Sequence, residues 1–154
     1  MNGLKTIKIF ALCALFLAMK LPGAMAADDL TILAFGDSLT AGYGLAAEQG
    51  FTRQLEQQLR QRGVNARVIN AGVSGDTTSG GVSRLEWPLG NGRKPDLVLL
   101  ELGGNDALRG IRPEITRANL DNMMRILEKA AVKTVIMGML APPNMGPEYS
   151  AAFN

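Results

Sequence analysis

Short, nearly unbroken apolar runs recur four times in this chain, and stretches of helical periodicity separate them. That alternation marks a parallel sheet whose strands are joined by crossover helices, because a strand covered on both faces shows no polar alternation. Leu30 to Phe35 (LTILAF), Ala66 to Ala71 (ARVINA), Leu97 to Leu102 (LVLLEL) and Thr134 to Met139 (TVIMGM) are the predicted strands. Phe51, Leu55 and Leu59 lie four apart, which predicts a helix over Thr52 to Arg62 with Gly63 as its stop. A further helix is expected within Thr77 to Trp87, although Gly80 and Gly81 lower its propensity. Pro113 suits a first helical position, and Leu120, Met123, Met124, Leu127 and Ala131 recur at helical spacing through the longest helix. Right-handed crossovers then give a three-layer α/β/α sandwich with a parallel, doubly wound, flavodoxin-like sheet. After the fourth strand only a Pro-rich loop and a few residues are expected.

In such folds the chemistry gathers at the carboxyl ends of the strands. The first strand runs into Gly36-Asp37-Ser38-Leu39-Thr40. A serine on a sharp turn past a buried strand exposes its hydroxyl, and nearby backbone amides can face a developing oxyanion. Asp and Ser are equally common as caps of a short helix, so this turn alone does not decide. The second strand ends in Gly72-Val73-Ser74-Gly75-Asp76-Thr77, where Gly75 could offer an amide to a substrate oxygen. On its own that segment also reads as an ordinary loop leading to a helix capped by Asp76 or Thr77. The third strand ends in Glu101-Leu102-Gly103-Gly104-Asn105-Asp106. Its glycine pair lets the chain turn tightly and carry the Asn105 side-chain amide toward the first strand end. Loss of one such oxyanion donor typically costs about 3 kcal/mol of transition-state stabilisation.

The three motifs together resemble the SGNH (GDSL) hydrolase family. Gly36-Asp37-Ser38-Leu39, then Gly75, then Gly103-Gly104-Asn105-Asp106 match its first three blocks in order. The longer runs Gly36 to Tyr43 and Leu100 to Asp106, with Leu108-Arg109-Gly110, are similar to its bacterial periplasmic branch of thioesterases, lysophospholipases and arylesterases. The resemblance covers residues 30 to 154. It implies that Ser38 is the nucleophile of an ester hydrolase, with the Ser38 amide, the Gly75 amide and the Asn105 side chain as oxyanion hole. Asp37 would support the nucleophile turn. No cofactor is implied, and the substrate would be a small acyl ester, thioester or lysophospholipid. Pro142 to Gly146 is expected to form one wall of the acyl groove. The family's fourth block, Asp-x-x-His, supplies the general base, and this sequence contains no histidine at all. Asp76, Asp96 and Asp106 precede no histidine and do not replace it. The expectation is a chain truncated at its C-terminus, lacking the last strand and helix.

The first 26 residues read as a cleavable secretory leader: Lys5 and Lys8, the apolar run Ile9 to Met19, and Ala24-Met25-Ala26 before Ala27. The expected domain is therefore residues 27–154, periplasmic or secreted. The run is shorter than the roughly 20 residues that span a bilayer, so no stable membrane anchor is expected. Lys5, Lys8 and Lys20 are the only charges in the leader; without them 13 basic residues face 14 acidic ones, and nothing favours nucleic acid as a partner. The single cysteine, Cys13, lies in the leader. With neither Cys nor His beyond it, no transition-metal site is expected. Gly72-Val73-Ser74-Gly75-Asp76 misses the second glycine of Gly-x-Ser-x-Gly, and Gly36, Gly42 and Gly44 miss the spacing of a dinucleotide-binding loop. A non-catalytic relative that binds acyl or glycan ligands is the alternative the missing histidine leaves standing. Oligomeric state is not written in the sequence.

Overall fold

The computed structural model describes residues 30–90 and 92–154. The leader, its cleavage point and Cys13 lie outside the described residues. Four strands, β1 (Leu30–Gly36), β2 (Ala66–Gly72), β3 (Leu97–Glu101) and β4 (Lys133–Ile136), form one parallel sheet in the order β2-β1-β3-β4. The helices are α1 (Ser38–Ala41), α2 (Phe51–Gln61), α3 (Thr78–Arg84), α4 (Glu86–Gly90), α5 (Gly104–Leu108), α6 (Pro113–Lys129) and α7 (Pro147–Phe153), with single 3₁₀ turns at Ala47–Gln49 and Pro143–Met145. This is the expected doubly wound α/β order. The register places Leu33 and Phe35 of β1 between Ile69 and Ala71 of β2 and Val98 and Leu100 of β3. These side chains share one sheet face. Leu33, Phe35, Val98 and Leu100 form the buried core with Leu85, Met123 and Leu127 under α3 and α6, and the partly buried Ile69 and Ala71 pack against it. α2 packs on the other face, where Thr52 Oγ1 accepts a hydrogen bond from Asn70 Nδ2 of β2 at 3.2 Å.

Beyond shifts of a single residue, three boundaries differ from the sequence reading, each for a local reason. β4 ends at Ile136 and not at Met139, because its partner β3 stops at Glu101. Ile136 pairs with Leu100, and Met137 N donates the last bond to Leu100 O at 2.9 Å. Ala131 lies beyond the end of α6, exposed and at φ 51°, so it belongs to the stop and not to the apolar stripe. The Pro-rich approach expected as loop leads into α7. Its Pro147 stands at the helix start as Pro113 does in α6, and Tyr149 Oη donates to Ile111 O at 2.7 Å. Among the described residues no helix is long and apolar enough to cross a membrane.

Candidate active site

All four strands point the same way, so the loops after β1, β2 and β3 meet at one end of the sheet, the carboxyl ends of the strands. α1 begins there, and Asp37 is its cap: Oδ1 accepts from Leu39 N at 3.0 Å. The capping use of Asp37 and the exposure of a serine on the same turn are therefore both present. Ser38 is the first residue of α1 and half-buried. Among the described residues neither its amide nor its Oγ has a hydrogen-bond partner. Beneath the turn Glu101 is almost fully buried at the end of β3. Its Oε2 accepts from Thr40 Oγ1 at 2.9 Å and from Asp37 N at 3.3 Å, while Oε1 has no partner. Burial, with the nearby Asp37 charge, pushes the Glu101 carboxyl above its ordinary value.

The second loop is tied to the first by Val73 N, which donates to Gly36 O at 2.9 Å. Gly75 adopts φ 79°, a left-handed turn that favours glycine, and its amide is taken by no acceptor among the described residues. Its carbonyl accepts from Arg109 Nη2 at 2.7 Å. Thr77 caps α3 by accepting from Gly80 N at 3.3 Å. At the third strand end Gly103 takes φ 127°, open only to glycine, and swings Asn105 over both neighbouring loops. Asn105 Nδ2 donates to Asp37 Oδ2 at 3.0 Å and to Asp76 O at 2.9 Å. Two acceptors on that side fix which end of the amide is the nitrogen. One side chain thus joins the residue before Ser38 to the residue after Gly75. Both of its hydrogens are engaged within the protein.

The structure thus brings Ser38, Asp37, Gly75 and Asn105 together. Asp106 lies behind them, fully buried, accepting from Thr78 N at 2.9 Å, Thr78 Oγ1 at 2.5 Å and Thr116 Oγ1 at 3.3 Å. Asp96 is at the opposite end of the sheet, where it accepts from Thr31 N at 2.8 Å. A cavity of about 370 Å³ opens beside the Ser38 turn, walled by Leu39, Phe51 and Met137 to Met139, with Thr40 and Glu101 as its polar lining. Pro142 to Gly146, expected to line the acyl groove, form no part of this wall. No three carboxylate, thiol or imidazole groups converge among the described residues to hold a metal ion.

Two participants were not anticipated. Glu101 stood inside a recognised motif without a role. Arg84, in the last turn of α3, reaches the ends of β1 and β2 through two hydrogen bonds and Asp76 of the following loop through a third. An isolated charged residue carries no spacing signal, so only the packing reveals it.

Residues 34–154 match the GDSL-like Lipase/Acylhydrolase family. The chain belongs to that family. Among its curated members, Esterase TesA of Pseudomonas aeruginosa is 43% identical over 124 residues, covering 80% of this chain and 61% of TesA. Thioesterase 1/protease 1/lysophospholipase L1 of Escherichia coli K12 is 38% identical over 140 residues, 91% of this chain and 64% of its own length. The chain therefore spans less than two thirds of these relatives. The crystal structure of AlinE4, an SGNH-hydrolase family esterase, superposes with a TM-score of 0.80 at 48% identity, covering 82% of this chain and 68% of AlinE4.

Proposed function

We propose that the protein is an exported serine ester hydrolase that cleaves small acyl esters or thioesters, lysophospholipids included, through an acyl-serine intermediate. The observation that carries this reading is the Asn105 bridge, which gathers the ends of β1, β2 and β3 around the half-buried Ser38. Ser38 Oγ attacks the acyl carbonyl. The Ser38 and Gly75 amides and the Asn105 side chain face the tetrahedral oxyanion, and water releases the acyl group in a second half-reaction. Asp37 holds the turn by capping α1. The reading requires a general base from outside these 154 residues, none of which is histidine. Export rests on the leader over residues 1–26. Similarity to relatives described as esterase and as thioesterase/lysophospholipase supports the substrate class.

A fluorophosphonate probe applied to the intact protein is expected to label Ser38, and Ser38→Ala should abolish both labelling and ester turnover. Labelling that persists at another serine would overturn the assignment. The missing histidine favours a second reading, a binding module without turnover. Acyl ligand binding with neither labelling nor turnover would select it.

A further inference from the structure

Arg84 carries a function that none of the motifs assigns. Its Nε donates to Asp76 Oδ2 at 2.7 Å, Nη1 to Ala71 O at 2.8 Å and Nη2 to Gly36 O at 2.9 Å. The guanidinium also lies 3.9 Å from the centre of the Phe35 ring. Gly36 is the last residue of β1 and Ala71 the last but one of β2, the two strands that lead into the Ser38 turn and the Gly75 loop. Asp76 directly follows Gly75. One planar cation therefore grips both strand ends and the loop that follows β2. An arginine fork suits that task, whereas a lysine ammonium is a point charge without the fork. The pair is mostly removed from water: the Arg84 side chain keeps 25% of its exposure and that of Asp76 keeps 11%.

We propose that Arg84 is the positioning residue of the oxyanion site, acting through Asp76 to fix where the Gly75 amide points relative to Ser38. This rests on the ester hydrolase reading above. Asp76 is the node of the loop. Its N donates to Val73 O at 3.0 Å, its carbonyl accepts from Asn105, and its carboxylate takes Thr77 N at 3.1 Å on the oxygen that Arg84 leaves free. Gly75 itself, with no Cβ, turns readily about its own backbone. Without the Arg84 grip, Oδ2 of Asp76 loses its partner and the Gly75 peptide gains freedom to rotate. The group displaced is one that meets the transition state, so the loss falls on kcat and leaves KM.

The test uses the intact protein with Arg84→Met, Arg84→Lys, Asp76→Ala and the Arg84→Met/Asp76→Ala pair, assayed well below the lowest Tm. Steady-state constants for p-nitrophenyl acetate and the second-order rate of fluorophosphonate labelling at Ser38 are both read. Arg84→Met is expected to lower kcat and the labelling rate about tenfold or more with KM within about twofold. Asp76→Ala should match it, the double variant should be no worse than the more severe single one, and Arg84→Lys should fall between. A wild-type kcat with only a lowered Tm, a change confined to KM, or fully additive losses would each overturn the proposal. Should Arg84→Met fail to fold, Arg84→Lys and Asp76→Ala decide by the same criteria. Turnover or labelling that survives in Ser38→Ala would instead bring down the nucleophile reading.

Discussion

Beneath the candidate nucleophile, Glu101 is a carboxyl with one oxygen bonded twice and the other not at all. A buried polar group without a partner costs about 1–3 kcal/mol. Burial raises its folded-state pKa above the ordinary value near 4.5, so the folded protein binds this proton more tightly than the unfolded chain does. Its contribution to stability is then complete below that value and is lost as pH climbs through the raised one. Glu101→Gln keeps the shape and an acceptor for Asp37 N and Thr40 Oγ1 without the charge. The variant is expected to have a higher Tm than the parent at pH 8, with the gap closing toward pH 4. A lower Tm at pH 8 would show that the carboxylate charge is what holds the turn. At this scale the sequence was legible where a residue type has few uses. Gly36-Asp37-Ser38 and Gly103-Gly104-Asn105 follow buried runs in patterns that ordinary loops do not need. Glu101 and Arg84 escaped because a single charge inside an apolar run or a helix acquires meaning only from what tertiary packing places beside it.

Among the elements, α3 was the least certain from sequence, and packing accounts for Gly81, one of its two glycines. A Cβ on Gly81 would collide with Leu102 Cδ1 and stand 3.1 Å from Met123 Sδ and 3.4 Å from Phe35 Cε1. The helix accepts poor propensity so that its backbone can lie against the sheet and α6, which in turn keeps Arg84 within reach of both strand ends. Gly81→Ala gains about 1 kcal/mol of helix propensity and meets an overpacking cost of about 1–3 kcal/mol. The expected net result is a lower urea midpoint with an unchanged m value; an unchanged or raised midpoint would mean that Leu102 and Met123 yield freely. The other elements show why strand and helix cores were readable while their ends were not. Met123 and Leu127 are fully buried at the predicted spacing. The ends of β4 and α6 and the start of α7 depend on where a partner strand stops and how a turn closes, and local composition records neither.

At the scale of the whole molecule, the sheet is not evenly protected. β2 and β4 are its edges, and β4 exposes Val135 and Ile136 at 49% each, with Lys133 at its start as its one charge. Apolar edge strands with few charges invite pairing between chains. On the face covered by α2, helix contacts reach β2, while Val135 at the far edge stays open. A polypeptide of these residues without the leader is therefore expected to self-associate when purified, as read by light scattering. It is also expected to hydrolyse p-nitrophenyl acetate no faster than its Ser38→Ala variant. Among the described residues Ser38 Oγ has no partner that could take its proton, and oxyanion donors alone retain only a small part of such catalysis. The nearby carboxylates are poorly placed to substitute. Both oxygens of Asp37 already accept hydrogen bonds, from Leu39 N and Asn105 Nδ2. Glu101 Oε1 is the one unbonded carboxylate oxygen beneath the turn, and it is buried. Serine-dependent turnover by a soluble monomer of these residues would overturn the requirement for an outside base. Loss of that turnover in Glu101→Gln would then name Glu101 as the group that takes the proton.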